Sequence, residues 1–216
     1  MRYDANHKER TRARVLSAAA KSILAEGPHR IGVADIMGKV GLTHGGFYAH
    51  FGSKDELVVA AVELMFDEAL SNLQRLTRGK APREALGAYI DWYLSLRHRD
   101  ARDTGCPMAA LSADLPRLSS PTRRRFSRGA DRLIAGIAML LSALGHADAA
   151  SLASSAFAEM MGALLLARGA EPKESEAILK ASGVQLRTRL RIAAPSRRES
   201  KHRRRNSARP SKGRSP

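Results

Sequence analysis

Apolar positions recur on a helical period along most of this chain. Val15, Leu16, Ala19, Ala20, Ile23 and Leu24 fall at i, i+1, i+4, i+5, i+8 and i+9 and form one stripe, which predicts a first helix from about Arg10 to Glu26. Gly27-Pro28 ends it. A short second helix begins near Gly32, with Ile36 and Val40 facing inward, and Gly41-Leu42-Thr43 turns the chain into a third that starts at Thr43. Ser53-Lys54-Asp55-Glu56 reads as a capping box opening a fourth helix, whose inner side carries Leu57, Val58, Ala61, Leu64, Met65 and Leu73 and which ends near Gly79-Lys80-Ala81-Pro82. Pro82 starts a helix on which Tyr89, Trp92, Tyr93 and Leu96 cluster, and residues 97 to 104 read as a polar loop. Further helices follow from Gly105-Cys106-Pro107, with Met108, Leu111 and Leu115, and from Ser120-Pro121, with Phe126, Leu133, Ile137, Leu140 and Leu141. The last two run from about Ala149 to Arg168 and from Glu171-Pro172 through Ile178, Leu179, Val184, Leu186 and Leu190. No strand-helix alternation interrupts this pattern, so the expected fold class is all-α.

Two short helices about a tight glycine turn make a helix-turn-helix, and the third helix is then the element that enters a major groove. Phe47 and Phe51 are spaced i, i+4 and share a face, which marks them as core. Gly45 and Gly46 each cost a helix up to about 1 kcal/mol relative to Ala. Either they loosen a turn, or their missing side chains let the backbone approach the groove closely; the second reading is preferred.

The run Gly41-Leu42-Thr43 through Phe47-Tyr48-Ala49-His50-Phe51-Gly52-Ser53-Lys54-Asp55-Glu56-Leu57 closely resembles the DNA-binding signature of TetR-family transcriptional regulators. The resemblance spans about residues 8 to 60 and implies that Thr43, His44, Gly45, Gly46, Tyr48 and His50 lie at the DNA, with Lys54 holding a phosphate. At position 32 the family commonly carries Ser or Thr, whose hydroxyl caps the helix and reaches a phosphate; Gly32 has none. The resemblance also implies an N-terminal three-helix DNA-binding domain over residues 1–56 and a larger helical ligand-binding and dimerisation domain over 57–195. Across a two-fold axis the last two helices would pair as a four-helix bundle, with Leu152, Ala156, Met160, Leu164 and Leu186 as candidate contacts.

Charge sharpens the choice of partner. The 216 residues carry a net charge of +16, which points to a polyanion, either nucleic acid or an anionic membrane surface. Residues 196–216 hold nine basic side chains against Glu199 alone, half of that net charge. So polar a tail is expected to be disordered, either as a non-specific DNA-holding arm or as a solvated extension. Arg10, Arg12 and Arg14 stand near the start of the first helix, where basic side chains oppose the helix dipole, so a DNA phosphate is a candidate partner. Lys39 points outward, toward phosphate or solvent. One cysteine excludes an intrachain disulfide framework and suits a reducing compartment. The N-terminus lacks an apolar signal-type core, and no apolar run approaches the ~20 residues of a membrane span, so the chain is read as cytoplasmic.

Tyr89, Trp92, Tyr93, Cys106, Met108 and Phe126 are candidates for lining a ligand pocket, although such stripes are more often plain core. Cys106 precedes Pro107 at a helix start, where the dipole and nearby arginines favour thiolate. The alternatives there are an electrophile or oxidant sensor and a small buried residue. No Gly-rich phosphate loop, Cys/His metal cluster or nucleophile elbow is present, so neither an enzyme nor a cofactor is expected. The reading is a DNA-binding regulator, a homodimer on double-stranded palindromic DNA, most simply a repressor released when an apolar small molecule re-tilts the fourth helix. The alternative is a non-specific nucleic-acid-binding or architectural protein.

Overall fold

The computed structural model describes residues 2–192, so the basic tail lies outside the described residues. It contains α1 (Arg2–Glu26), α2 (Val33–Lys39), a 3-10 segment (His44–Ala49), α3 (Lys54–Thr77), α4 (Pro82–Tyr93) and α5 (Leu96–Asp100). There follow α6 (Pro107–Leu111), a 3-10 turn (Leu115–Arg117), α7 (Ser120–Ala143), α8 (Ala149–Gly169) and α9 (Pro172–Arg189). The fold is all-α, as expected.

Local chemistry sets most of these boundaries. The Ser53 hydroxyl accepts from the Glu56 amide at 3.1 Å, and the Glu56 carboxylate accepts in return from the Gly52 amide at 2.8 Å, so two donors at the start of α3 are satisfied together. Pro107 and Pro172 each occupy a first-turn position, where a missing N–H costs nothing. Gly41, with φ of 73°, makes the corner after α2, and Gly27, with φ of 88°, the one after α1. Helix α1 begins well before Arg10. Its side chains from Asn6 to Arg10 are all exposed, so no apolar stripe announces that end.

Two clusters of buried side chains form the core, and α3 runs through both. Val15, Ala19 and Ile23 of α1, Ile36 and Met37 of α2, and Phe47 and Phe51 close over Leu57, Val58, Ala61, Val62, Met65 and Phe66 of α3. Leu111, Phe126 and Ala130 complete this first cluster. The second gathers Leu73 of α3 with α4, α7, α8 and α9 around Tyr89, Tyr93, Leu133, Ile137, Phe157, Met160 and Leu164. Glycines bring α7 close to α3: a Cβ on Gly136 would stand 2.7 Å from a Leu73 methyl, and one on Gly129 would overlap the Phe66 ring. Arg125–Glu63 and Arg132–Asp67 pairs, at 2.7 and 2.8 Å, flank this crossing but are half-exposed, and such pairs contribute at most about 1 kcal/mol.

Helix α8 corrects one expectation. By length and composition Ala149–Gly169 is apolar enough to cross a membrane. Its Ala153, Ala156, Phe157, Met160, Ala163 and Leu164 are buried in the second core, so one face of it packs inside the protomer.

Candidate nucleic-acid interface

The segment expected to read DNA is a single 3-10 stretch of six residues, His44–Ala49, rather than an α-helix. The double glycine near its start lowers the helical preference, and the first bond made is the 3-10 type, Gly46 N–H to the Thr43 carbonyl at 3.1 Å. Phe47 and Phe51, each 1% exposed, stack at 5.7 Å and anchor the segment to α1, α2 and α3. With that face spent on the core, Thr43, His44, Gly45, Tyr48 and Lys54 all face outward and Gly46 is half-buried. Tyr48 is 65% exposed although its ring packs edge-on against Phe47 at 5.3 Å. An apolar ring so displayed, with its hydroxyl free, suits a partner surface rather than solvent. The Thr43 hydroxyl caps no helix amide and is likewise available.

His50 stands apart from this group. It is half-buried, and its Nδ1 is enclosed without a partner among the described residues.

Several basic side chains assigned to phosphates have work inside the protein. Arg12 lies over the Phe51 ring at 4.6 Å. Arg14 donates to the Val40 carbonyl at 2.7 Å and ties α1 to the end of α2. Lys39 donates to the Ser22 hydroxyl at 2.7 Å and pairs with Glu26 at 3.5 Å, bracing the same two helices. Arg12 and Arg14 thus have partners within the protein, and because α1 begins at Arg2 they stand inside the helix rather than at its start; Arg10 is exposed. At Gly32 the Asp35 carboxylate occupies the space a Cβ would need, so this position is filled from the first turn of α2.

A second candidate site lies behind the first. A cavity of about 240 Å³ is lined by Leu24 of α1, by Met65, Glu68, Ala69, Asn72 and Arg75 of α3, and by Tyr89, Trp92 and Tyr93 of α4. Arg97, His98, Ala101, Thr104, Gly105 and Cys106 close it on the far side, with Leu133 of α7 at its floor. Of the expected pocket residues, Tyr89, Trp92, Tyr93 and Cys106 belong to it. Phe126 does not, because it packs edge-on against Phe66 at 5.2 Å, and Met108 sits between the two cores.

Two readings of this region change. The stretch expected as a polar loop contains α5, which Ser95 caps through the His98 amide at 3.1 Å and which buries the His98 ring to 1% exposure. Burial holds His98 neutral and lowers its pKa to about 4. Cys106 is not a poised thiolate. It is 4% exposed, burial raises its pKa, and the helix after it has five residues, too few to supply a strong dipole.

The expected dimer contacts are also corrected. Ala156, Met160, Leu164 and Leu186 are each 0–1% exposed within one protomer, so they have no surface to offer a second; Leu152 is half-buried. The large apolar side chains exposed on α8 and α9 are Leu165, Leu166 and Val184. Periodicity locates an apolar stripe but does not say which of two neighbouring faces is taken by the protomer's own core.

Residues 15–61 match the sequence model of bacterial regulatory proteins of the tetR family. An uncharacterized HTH-type transcriptional regulator, YfiR of Bacillus subtilis, is 28% identical over 102 residues, covering 47% of this chain and 49% of that protein. An HTH-type transcriptional repressor of Mycobacterium tuberculosis is 29% identical over 112 residues, covering 52% and 57%. The matched stretch thus spans about half the length of these curated relatives. Among solved structures, a TetR transcriptional regulator from Chloroflexus aurantiacus is 27% identical with a TM-score of 0.73, over 85% of this chain and 95% of that one. NemR of E. coli in its reduced form is 23% identical with a TM-score of 0.72, over 82% and 96%, a likeness of fold. The N-terminal segment thus matches the DNA-binding part of the tetR family, and the fold of the whole chain is like that of solved TetR regulators.

Proposed function

We propose that the protein is a sequence-specific DNA-binding transcriptional regulator, acting as a homodimer in the cytoplasm and releasing a palindromic operator when a small molecule occupies the cavity behind α3. The observation that carries this reading is the outward face of Thr43, His44, Gly45, Gly46, Tyr48 and Lys54, held on the buried Phe47–Phe51 pair. Thr43 to Gly46 read base edges, while Tyr48 and Lys54 hold phosphates. One head contacts too few base pairs for high specificity, so two heads on half-sites about 34 Å apart, or a multiple of that, are needed. Exposed Leu165, Leu166 and Val184 support α8 and α9 as the pairing face.

The cavity also supports the regulatory half of the proposal. Its walls include Leu24 on α1 and five residues of α3, the two helices that brace the reading segment. An occupant that spreads these walls tilts α3 and changes the separation of the two heads in a dimer. Cleavage protection on the DNA flanking the protein's own gene, at moderate salt and with or without residues 196–216, tests the DNA-binding half. A discrete protected palindrome is the expected result; uniform protection of unrelated DNA favours a non-specific binder instead.

A further inference from the structure

Two buried polar atoms on the cavity's lining residues, Asn72 Nδ2 and His98 Nε2, have no hydrogen-bond partner among the described residues, and the Tyr93 hydroxyl has only the Cys106 thiol. Buried polar groups are nearly always satisfied, so two orphans around one space point to something that fills it. The surroundings fix what each can do. The Asn72 Oδ1 accepts from the Arg75 guanidinium at 2.5 Å, which leaves the amide –NH₂ as the unused donor. His98 Nδ1 lies 2.8 Å from the Tyr93 carbonyl, an acceptor, so Nδ1 carries the proton and Nε2 presents a lone pair. The Tyr93 hydroxyl, beside the Cys106 thiol, donates or accepts. These inner groups are all neutral. Glu68, Arg75 and Arg97, the charged members of the lining, are exposed and stand at the mouth.

We propose that this cavity takes an uncharged, single-ring aromatic molecule bearing an O–H or N–H donor for His98 Nε2 and an oxygen acceptor for Asn72 Nδ2. This proposal rests on the effector-responsive reading above and names the chemistry of the effector. A cavity of about 150 Å³ already admits benzene, so 240 Å³ has room for one substituted ring. Tyr89, Trp92 and Tyr93 supply the aromatic wall, with Trp92 itself held by stacking on His98 at 4.3 Å. The buried lining itself is neutral, and the half-buried Arg168 guanidinium near Tyr93, His98 and Cys106 disfavours a cation there. An apolar molecule of the same shape would leave the two orphans unsatisfied. The occupant is therefore polar at two points, contrary to the expectation of an apolar ligand.

Calorimetry on the free full-length protein tests this with the ortho, meta and para isomers of hydroxyacetophenone. The controls are methoxyacetophenone, which lacks the donor, ethylphenol, which lacks the acceptor, and hydroxybenzoate, which is charged. At least one hydroxyacetophenone isomer should bind about tenfold or more tightly than every control, since each lost partner leaves a buried group unsatisfied. Asn72→Ala, at a half-buried position, should erase the preference for hydroxyacetophenone over ethylphenol. His98→Phe should erase the preference over methoxyacetophenone. Equal binding of all the probes, no binding of any, or preferences unchanged in Asn72→Ala would overturn the proposal. Because this reading contains no DNA, its failure is separable from a failure of the regulator reading, which the cleavage-protection experiment reports alone.

Discussion

The Gly129 backbone on α7 lies against the Phe66 ring on α3 with no room for a Cβ between them. Phe66 belongs to the core that also holds Phe47 and Phe51, so this contact ties α7 to the N-terminal helices. Gly129→Ala forces a methyl into a filled space. Overpacking of this kind costs about 1–3 kcal/mol, and a chemical denaturation curve should show that loss at unchanged slope. A variant as stable as the wild type would mean that α3 and α7 separate freely.

Gly45 and Gly46 behave in the opposite way. A Cβ on Gly45 meets nothing within 4 Å, one on Gly46 meets only Met37 and Thr43 atoms at 3.7 and 3.8 Å, and neither glycine has a positive φ. The fold does not need glycine at either place. Gly45→Ala and Gly46→Ala should therefore leave stability unchanged or raise it by up to about 1 kcal/mol. If the groove does need the missing side chains, operator affinity should drop at least about tenfold in the same variants. Gel-shift titration beside thermal melting separates the two effects; full operator affinity would return the glycines to the role of a loose turn.

These contrasts show what a sequence can and cannot disclose here. The Ser53–Glu56 cap and the Phe47–Phe51 pair depend on residues within a few positions of each other, so spacing alone exposes them. His98 lies in a run of charged residues, and its burial comes from packing against Tyr93 and Trp92, a contact that periodicity cannot register. Lys39 and Arg14 look like free cations until α1 and α2 are brought together. The burial of Ala156, Met160, Leu164 and Leu186 escapes the sequence for a related reason, since an apolar stripe serves a protomer core and a partner equally well.

His98 gives a pH signature with a definite sign. Its folded-state pKa is about 4, against an ordinary value of 6.5. From about pH 6.5 downward the unfolded chain takes up a proton that the folded chain refuses, so stability is full above that range and declines as pH falls toward 4. The shift corresponds to a loss of about 3 kcal/mol. Urea denaturation across this window should show the decline, and His98→Gln should flatten it whatever its own baseline stability. An equal slope in the variant would place the titration elsewhere.

Cys106 should be slow to react. With its thiol buried and its pKa raised, labelling by a thiol-specific disulfide reagent near pH 8 should run more than tenfold slower than for free cysteine, and should reach that rate in denaturant. Rapid labelling of the folded protein would restore the sensor reading.

The most direct measurement of the central claim compares affinity for the protected operator with affinity for random DNA of equal length, by fluorescence anisotropy at physiological salt. A sequence-specific regulator should prefer its operator by at least about 10³-fold, and Tyr48→Ala should weaken operator binding while the dimer persists. Equal affinity for the two DNAs, with Tyr48→Ala indistinguishable from the wild type, would contradict the assignment of the Thr43–Lys54 face to base reading.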